Sequence, residues 1–253
     1  MAGTDRTREP ALGGPAIVLV APQLGENIGT AARAMYNFGL TDLRLVRPRD
    51  GWPSEKARAS ASGADAVIDG AQVFDSVAEA IAGLRHLYAA TARPRGARKA
   101  VVTPAHAAQT MRAASPQGTD CGVLFGAERA GLDNDDVSLA EAIIAVPLNP
   151  VFSSLNLAQA VLLVSYEWFR SVDATAGETF DAGPAGPATK ADLIGLFEHL
   201  ESELTRGGFL WPAEKAPTMV RNIRTMLQRA RLTEQEVRTF RGIIKALTDL
   251  RRR

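Results

Sequence analysis

Six runs of three to five mostly apolar residues punctuate the first 150 positions of this chain: Ile17–Ala21, Leu43–Val46, Ala66–Ile68, His86–Ala90, Cys121–Phe125 and Ala142–Val146. None alternates polar with apolar, so none suits a sheet with one wet face; each suits a strand covered on both faces. Between them Ile28–Phe38, Ser76–Leu84 and Pro104–Ala113 carry helical spacing, and Leu155–Arg170 closes the series. The alternation predicts an α/β domain with a mostly parallel sheet and helices on either side. With 253 residues and 46% hydrophobic side chains the chain can bury a sizeable core.

The predicted organisation is a tail over residues 1–13, an α/β domain over 14–171, a linker over 172–188 rich in Gly, Pro, Ala and Thr, and a helical extension over 189–253. In the extension Thr189 and Asp192 resemble a capping box, Pro217 opens a second helix, and Thr233 with Glu236 opens a third. From Leu204 onward there are 12 Lys or Arg against 4 Asp or Glu, although the whole chain carries only +1. Such a basic module on an acidic body suits either a nucleic-acid partner or a solvated helical face with a frayed Arg251–Arg253 end, and charge alone does not choose between them. No apolar run approaches the ~20 residues that span a bilayer, and Met1–Gly14 lacks the apolar centre of a secretory signal, so a cytoplasmic location is expected. A single cysteine, Cys121, and three scattered histidines offer neither a disulfide framework nor a metal site. His86, His106, His199 and Cys121 read as packing or surface residues.

No GxGxxG follows the first strand and no GxxxxGK[ST] occurs, which argues against dinucleotide and P-loop folds. Three other segments carry the chemistry. The first strand feeds Pro22-Gln-Leu-Gly-Glu-Asn-Ile-Gly-Thr-Ala-Ala-Arg33, in which Asn27 is placed to cap a helix starting at Ile28 and Gly25 and Gly29 admit a close backbone. At about 100° per residue Arg33 lies roughly 140° from Ile28, off the core stripe of Ala31, Ala32, Met35 and Phe38. After the run ending at Phe125 comes Gly126-Ala-Glu-Arg-Ala-Gly-Leu132; after Val146 comes Pro147-Leu-Asn-Pro-Val-Phe-Ser-Ser-Leu-Asn-Leu-Ala158. Both are loops beyond strand carboxyl ends, where open α/β sheets bind ligands. A helix beginning at Leu155 would add free N–H groups beside Ser153, Ser154 and Asn156.

In this order the three segments resemble the NxGxxxR, GxExxGL and SLNxxxA motifs of the SPOUT superfamily of RNA methyltransferases. Within it the chain is most similar to the TrmJ family, with Phe197–Glu201, Gly208-Phe-Leu and Arg221–Leu247 resembling that family's C-terminal extension. The resemblance implies a trefoil-knotted α/β domain working as a homodimer, with S-adenosylmethionine as cofactor. It implies methylation of the ribose 2′-hydroxyl of cytidine or uridine at nucleotide 32 of the tRNA anticodon loop. The cofactor is then expected against Ala90, Thr91, Ala92, Gly126, Val146, Leu148, Ser153, Ser154, Leu155 and Asn156. Asn27, Arg33 and Glu128 match the polar motif positions and are the catalytic candidates; in a dimer Arg33 is expected opposite the partner's cofactor. Glu128 either orients Arg33 or Asn27 or braces its own loop. Arg33, Arg221, Arg224 and Arg231 are the expected RNA contacts. The competing readings are an RNA-binding protein that keeps the fold without turnover and a relative that modifies another tRNA or rRNA nucleoside.

Overall fold

The computed structural model describes residues 12–92, 98–175, 177 and 186–249. The chain divides into two compact units, Met1–Thr175 and Ala176–Arg253. In the first, strands β1 (Ala16–Val20), β2 (Leu43–Val46), β3 (Gln72–Phe74), β4 (His86–Ala90), β5 (Ala100–Val102), β6 (Cys121–Phe125) and β7 (Ala142–Ile144) form one sheet. Helices α1 (Gly25–Asn37), α2 (Glu55–Ala61), α3 (Asp65–Asp69), α4 (Val77–Ile81), α5 (Pro104–Ala114), α6 (Asn134–Leu139) and α7 (Leu157–Arg170) connect and follow them. All paired strands are parallel, in the order β3-β2-β1-β6-β4-β7-β5.

The absence of polar alternation in the strands follows from helices on both faces. Ile17 and Leu19 of β1 pack with Ile28, Ala32 and Met35 of α1 and with Val161 and Trp168 of α7. Val18 and Val20 turn the other way, to Val77 and Ala80 of α4 and Val137 of α6. Helix α2 lies so close to α1 that a Cβ at Gly29 would sit 2.0 Å from the Ala57 carbonyl oxygen, which explains the glycine.

Five details depart from the sequence reading. Ala66–Ile68, expected as a strand, is the middle of α3, one helical turn that buries Val67 and Ile68 between Asp65 and Asp69; the strand follows it as β3. A three-residue apolar run does not distinguish the two conformations. Helices α2 and α6 and edge strand β5 were not anticipated: α2 buries only Ala57 and Ala61, and Ala100 and Val101 of β5 are exposed, so neither has a strong apolar pattern. Helix α1 starts at Gly25, so Asn27 lies in its first turn and does not cap it. Helix α7 starts at Leu157; Asn156 is its cap and shares a capping box with Gln159, so Ser153–Leu155 form loop rather than helix. The expected tail ends in an anchored segment, since Gly13 donates to Gly39 and accepts from the Trp168 indole at 3.2 Å; residues 1–11 lie outside the described ones.

The second unit holds α8 (Lys190–Arg206), α9 (Ala216–Arg229) and α10 (Glu234–Asp249) around Leu193, Leu196, Phe197, Leu227, Val237 and Ile244. The Thr189–Asp192 capping box forms, and Thr233 pairs with Glu236 as anticipated. Residues 187 and 188 of the expected linker are attached to this unit: Pro187 bridges Thr233, and Ala188 donates to Leu232. Most of that linker, and the terminal Arg251–Arg253, lie outside the described residues. No helix among the described residues is long and apolar enough to cross a membrane.

Candidate active site

The carboxyl ends of β4, β6 and β7 open into one cavity, as parallel α/β sheets dictate. Ala90, Thr91, Ala92, Gly126, Val146, Leu148, Ser153, Ser154 and Leu155, nine of the ten residues expected to hold the cofactor, line it together. Gly126 lets its own loop close: a Cβ there would meet the Gly131 carbonyl carbon and the Leu132 nitrogen at 2.1 Å, and Gly131 donates back to Ala127 at 2.7 Å. Small and apolar side chains line the cavity at the strand ends, with the hydroxyl-bearing Ser153 and Ser154 among them. That lining fits a nucleoside cofactor of the adenosylmethionine kind.

The tenth residue, Asn156, lines an adjoining polar chamber with Gln23, Leu24, Asn27, Arg49, Glu128 and Arg129. Glu128, Arg129, Ser154 and Leu155 line both spaces. Here the three motif segments are joined by hydrogen bonds. The Asn156 amide donates to Asn27 Oδ1 at 3.0 Å, and the Asn27 amide donates to Glu128 Oε1 at 2.8 Å. Glu128 also accepts from the backbone N–H groups of Gln23 at 2.8 Å and Leu24 at 3.3 Å, just ahead of α1. Burial, the largest single influence, pushes the Glu128 carboxyl upward, but the bonds from Asn27, Gln23 and Leu24 together outweigh it and hold the group below the usual carboxylate range. Of the alternatives open for Glu128, orienting Asn27 and bracing the turn into α1 are what the geometry supplies.

Arg33 is exposed on α1, away from the core stripe as expected, and is not among the lining residues of either space. In the other unit Arg221 is exposed and donates to Thr218. Arg224 instead makes a two-pronged bond to Glu201 at 2.6 and 2.8 Å, which orients its guanidinium. Arg231 sits at the turn after α9 with a left-handed backbone, φ 49°. The remaining candidates stay outside the site. His86 faces Glu141 at the surface, and the His199 Nδ1 is buried without a hydrogen-bond partner. Cys121 lies in the core, its thiol pushed up to about 11 by burial and then by Asp120. Among the described residues no group of His, Cys, Asp or Glu is arranged to hold a metal ion. Arg49 and Arg129 escaped the sequence reading. The signal was present for both: Arg49 follows β2 at its carboxyl end, and Arg129 lies inside the Gly126–Leu132 segment.

Fold and site together define a parallel-sheet α/β protein with a cavity at the strand carboxyl ends beside a polar chamber. Residues 14–166 match the SpoU rRNA methylase family, and residues 191–253 match the C-terminal domain of the tRNA methyltransferase TrmJ. The tRNA (cytidine/uridine-2′-O-)-methyltransferase TrmJ of Salmonella typhimurium is 36% identical over 236 residues, 91% of this chain and 95% of the relative. The crystal structure of TrmJ from Z. mobilis matches with a TM-score of 0.80 at 52% identity, covering 92% of this chain and 98% of that one. A probable methylase family protein from Haemophilus influenzae matches with a TM-score of 0.58 at 30% identity, covering 92% and 95%. The chain belongs to the SpoU methylase family, in the branch that carries the TrmJ C-terminal domain, and is a methyltransferase.

Proposed function

We propose that this enzyme methylates the ribose 2′-hydroxyl of cytidine or uridine at nucleotide 32 of tRNA, as a cytoplasmic homodimer with a trefoil-knotted α/β domain. Its cofactor is S-adenosylmethionine, bound in the cavity at the ends of β4, β6 and β7. The observation that carries this reading is the chain of hydrogen bonds from Asn156 through Asn27 to Glu128, which unites the three motif segments at the edge of that cavity. The named activity of the TrmJ relatives supports the ribose and the pyrimidine, and the matching C-terminal domain supports tRNA.

When bound, S-adenosylmethionine supplies an electrophilic methyl group. The protein's task is to hold a ribose oxygen in line with it and to stabilise the charge that develops as the hydroxyl proton leaves. A guanidinium, with a pKa above ~12, is a poor free base, so Arg33 steadies the 2′-oxyanion or an adjacent phosphate. Its placement outside the lining of its own chain's cavity supports service to the partner's. Tyr36 beside it on α1 and Leu162, Tyr166 and Phe169 on α7 are large exposed apolar side chains that suit a face covered by a second copy. Arg221, Arg224 and Arg231 supply phosphate contacts in the helical unit, Arg224 from a guanidinium oriented by Glu201. Incubation with labelled S-adenosylmethionine and unmodified tRNA, followed by nuclease mapping, tests the assignment. A nuclease-resistant 2′-O-methylpyrimidine at nucleotide 32 is expected; methyl on a base, or RNA binding with no incorporation, sinks it.

A further inference from the structure

We propose that Arg49 and Arg129 form a two-pronged phosphate clamp in the polar chamber, holding the RNA backbone next to the reacting ribose. The inference rests on the methyltransferase reading and adds residues that its motifs do not include. The uncharged and acidic groups of this chamber are largely occupied with one another: Glu128 accepts from Gln23, Leu24 and Asn27, and Asn27 accepts from Asn156. What the chamber offers an anionic ligand is its two guanidinium groups, beside the side chains of Gln23 and Ser154. Arg49 is held in place by its backbone, whose N–H donates to the Pro22 carbonyl at 3.0 Å and ties it to the turn that Glu128 braces. Its Nε meets Asp50 at 3.3 Å, and with 57% of the side chain exposed that pair is well screened by solvent. Arg129 is exposed next to Glu128 and lines both the chamber and the cofactor cavity.

Planar guanidinium forks match phosphate oxygens in geometry as well as charge. A ribose whose 2′-oxygen reaches the cofactor cavity has a 3′-phosphate on the neighbouring carbon and a 5′-phosphate on the other side of the ring. The polar chamber, sharing Ser154 and Leu155 with the cavity, lies where one of those phosphates must pass. The two arginines thus fix the ribose through its phosphate and take no part in proton transfer.

The test measures binding, without turnover, of unmodified tRNA to the full-length protein in S-adenosylhomocysteine over a range of salt concentrations. The variants are Arg49→Gln, Arg129→Gln and, as a control at the opposite end of the sheet, Arg85→Gln, whose side chain is 81% exposed at the start of β4. Each clamp variant is expected to weaken tRNA binding by about tenfold and to reduce the salt slope by just under one, with Arg85→Gln unchanged. The affinity for S-adenosylhomocysteine should stay within twofold in Arg49→Gln, whose side chain does not line the cofactor cavity. An unchanged slope for both clamp variants, an equal loss in Arg85→Gln, or a defect confined to S-adenosylhomocysteine binding by Arg129→Gln overturns the clamp. If the slopes change as expected but wild-type protein methylates no tRNA ribose, the clamp stands and the proposed reaction falls.

Discussion

The side-chain amide of Asn156 donates to the side-chain oxygen of Asn27 at 3.0 Å, although 129 positions separate them in the chain. Asn156 caps α7 with its own oxygen, accepting from Ala158 at 2.8 Å, so one side chain both starts a helix and reaches another motif. Asn27 passes the connection to Glu128, whose remaining acceptors hold the turn before α1. Stability and site geometry are therefore coupled here, and the variants below separate them.

Glu128→Gln keeps the shape but places an NH2 where one carboxylate oxygen now accepts. A hydrogen bond to a charged group contributes roughly 1.5–3 kcal/mol, so a loss in that range is expected in chemical denaturation near neutral pH. The loss should depend on pH in a fixed direction. Because the folded-state pKa of Glu128 is depressed, its contribution is fully present above the unfolded value of about 4.3 and disappears as pH falls through the lower folded value. The difference between wild type and Glu128→Gln should shrink as pH drops below about 4.3; a gap that widens there contradicts the assignment.

Gly29→Ala introduces a methyl 2.0 Å from the Ala57 carbonyl oxygen, which belongs to backbone and cannot swing aside. Helices α1 and α2 must separate, at a cost of about 1–3 kcal/mol, the range typical of overpacked cores. Thermal unfolding reads this as a clear fall in Tm, whereas Gly83→Ala, with nothing within 4 Å of the added methyl, should change it little.

Cys121 should resist alkylation in the folded protein. Its side chain is fully buried in β6 and its pKa is pushed up to about 11, so at pH 8 it offers neither access nor thiolate. Labelling by iodoacetamide is expected to be slower than in denaturant by more than ~100-fold; comparable rates would place the thiol outside the core.

Arg33→Ala should leave folding unchanged, since the side chain is exposed, and cofactor affinity little changed, since the proposed role of Arg33 is toward the ribose oxygen or an adjacent phosphate. Single-turnover methyl transfer at saturating tRNA should fall by about 10²–10³-fold, the range for removing one oxyanion-stabilising donor. Arg33→Lys then distinguishes charge from fork geometry: strong rescue means charge suffices, weak rescue means the planar pair of donors is needed. A near-normal rate in Arg33→Ala removes this residue from the chemistry.

Much of this protein was legible because local chemistry and tertiary role agree. Two-sided burial leaves no polar alternation, so β1, β2, β4, β6 and β7 could be read from their apolar runs alone. Capping boxes act within four residues, so Thr189 with Asp192 announced α8 and Thr233 with Glu236 announced α10. The motif loops were legible as strand-end loops, and the cavity gathers them.

What local patterns left open are relations between distant segments. Whether Ala66–Ile68 is helix or strand depends on the polar residues around it and on where the sheet has room, which a three-residue run does not encode. Asn27, Asn156 and Arg224 each have ordinary local explanations, as cap, cap and solvent-facing cation. Only packing turned Asn27 toward Glu128, gave Asn156 a second partner in Asn27, and engaged Arg224 with Glu201. The chain by itself determined the layers of the fold and the residues available for chemistry, because burial and capping act over a few positions. The tertiary structure decided which of those residues meet, because hydrogen-bond partners 101 and 129 positions apart are chosen by how the sheet and helices pack.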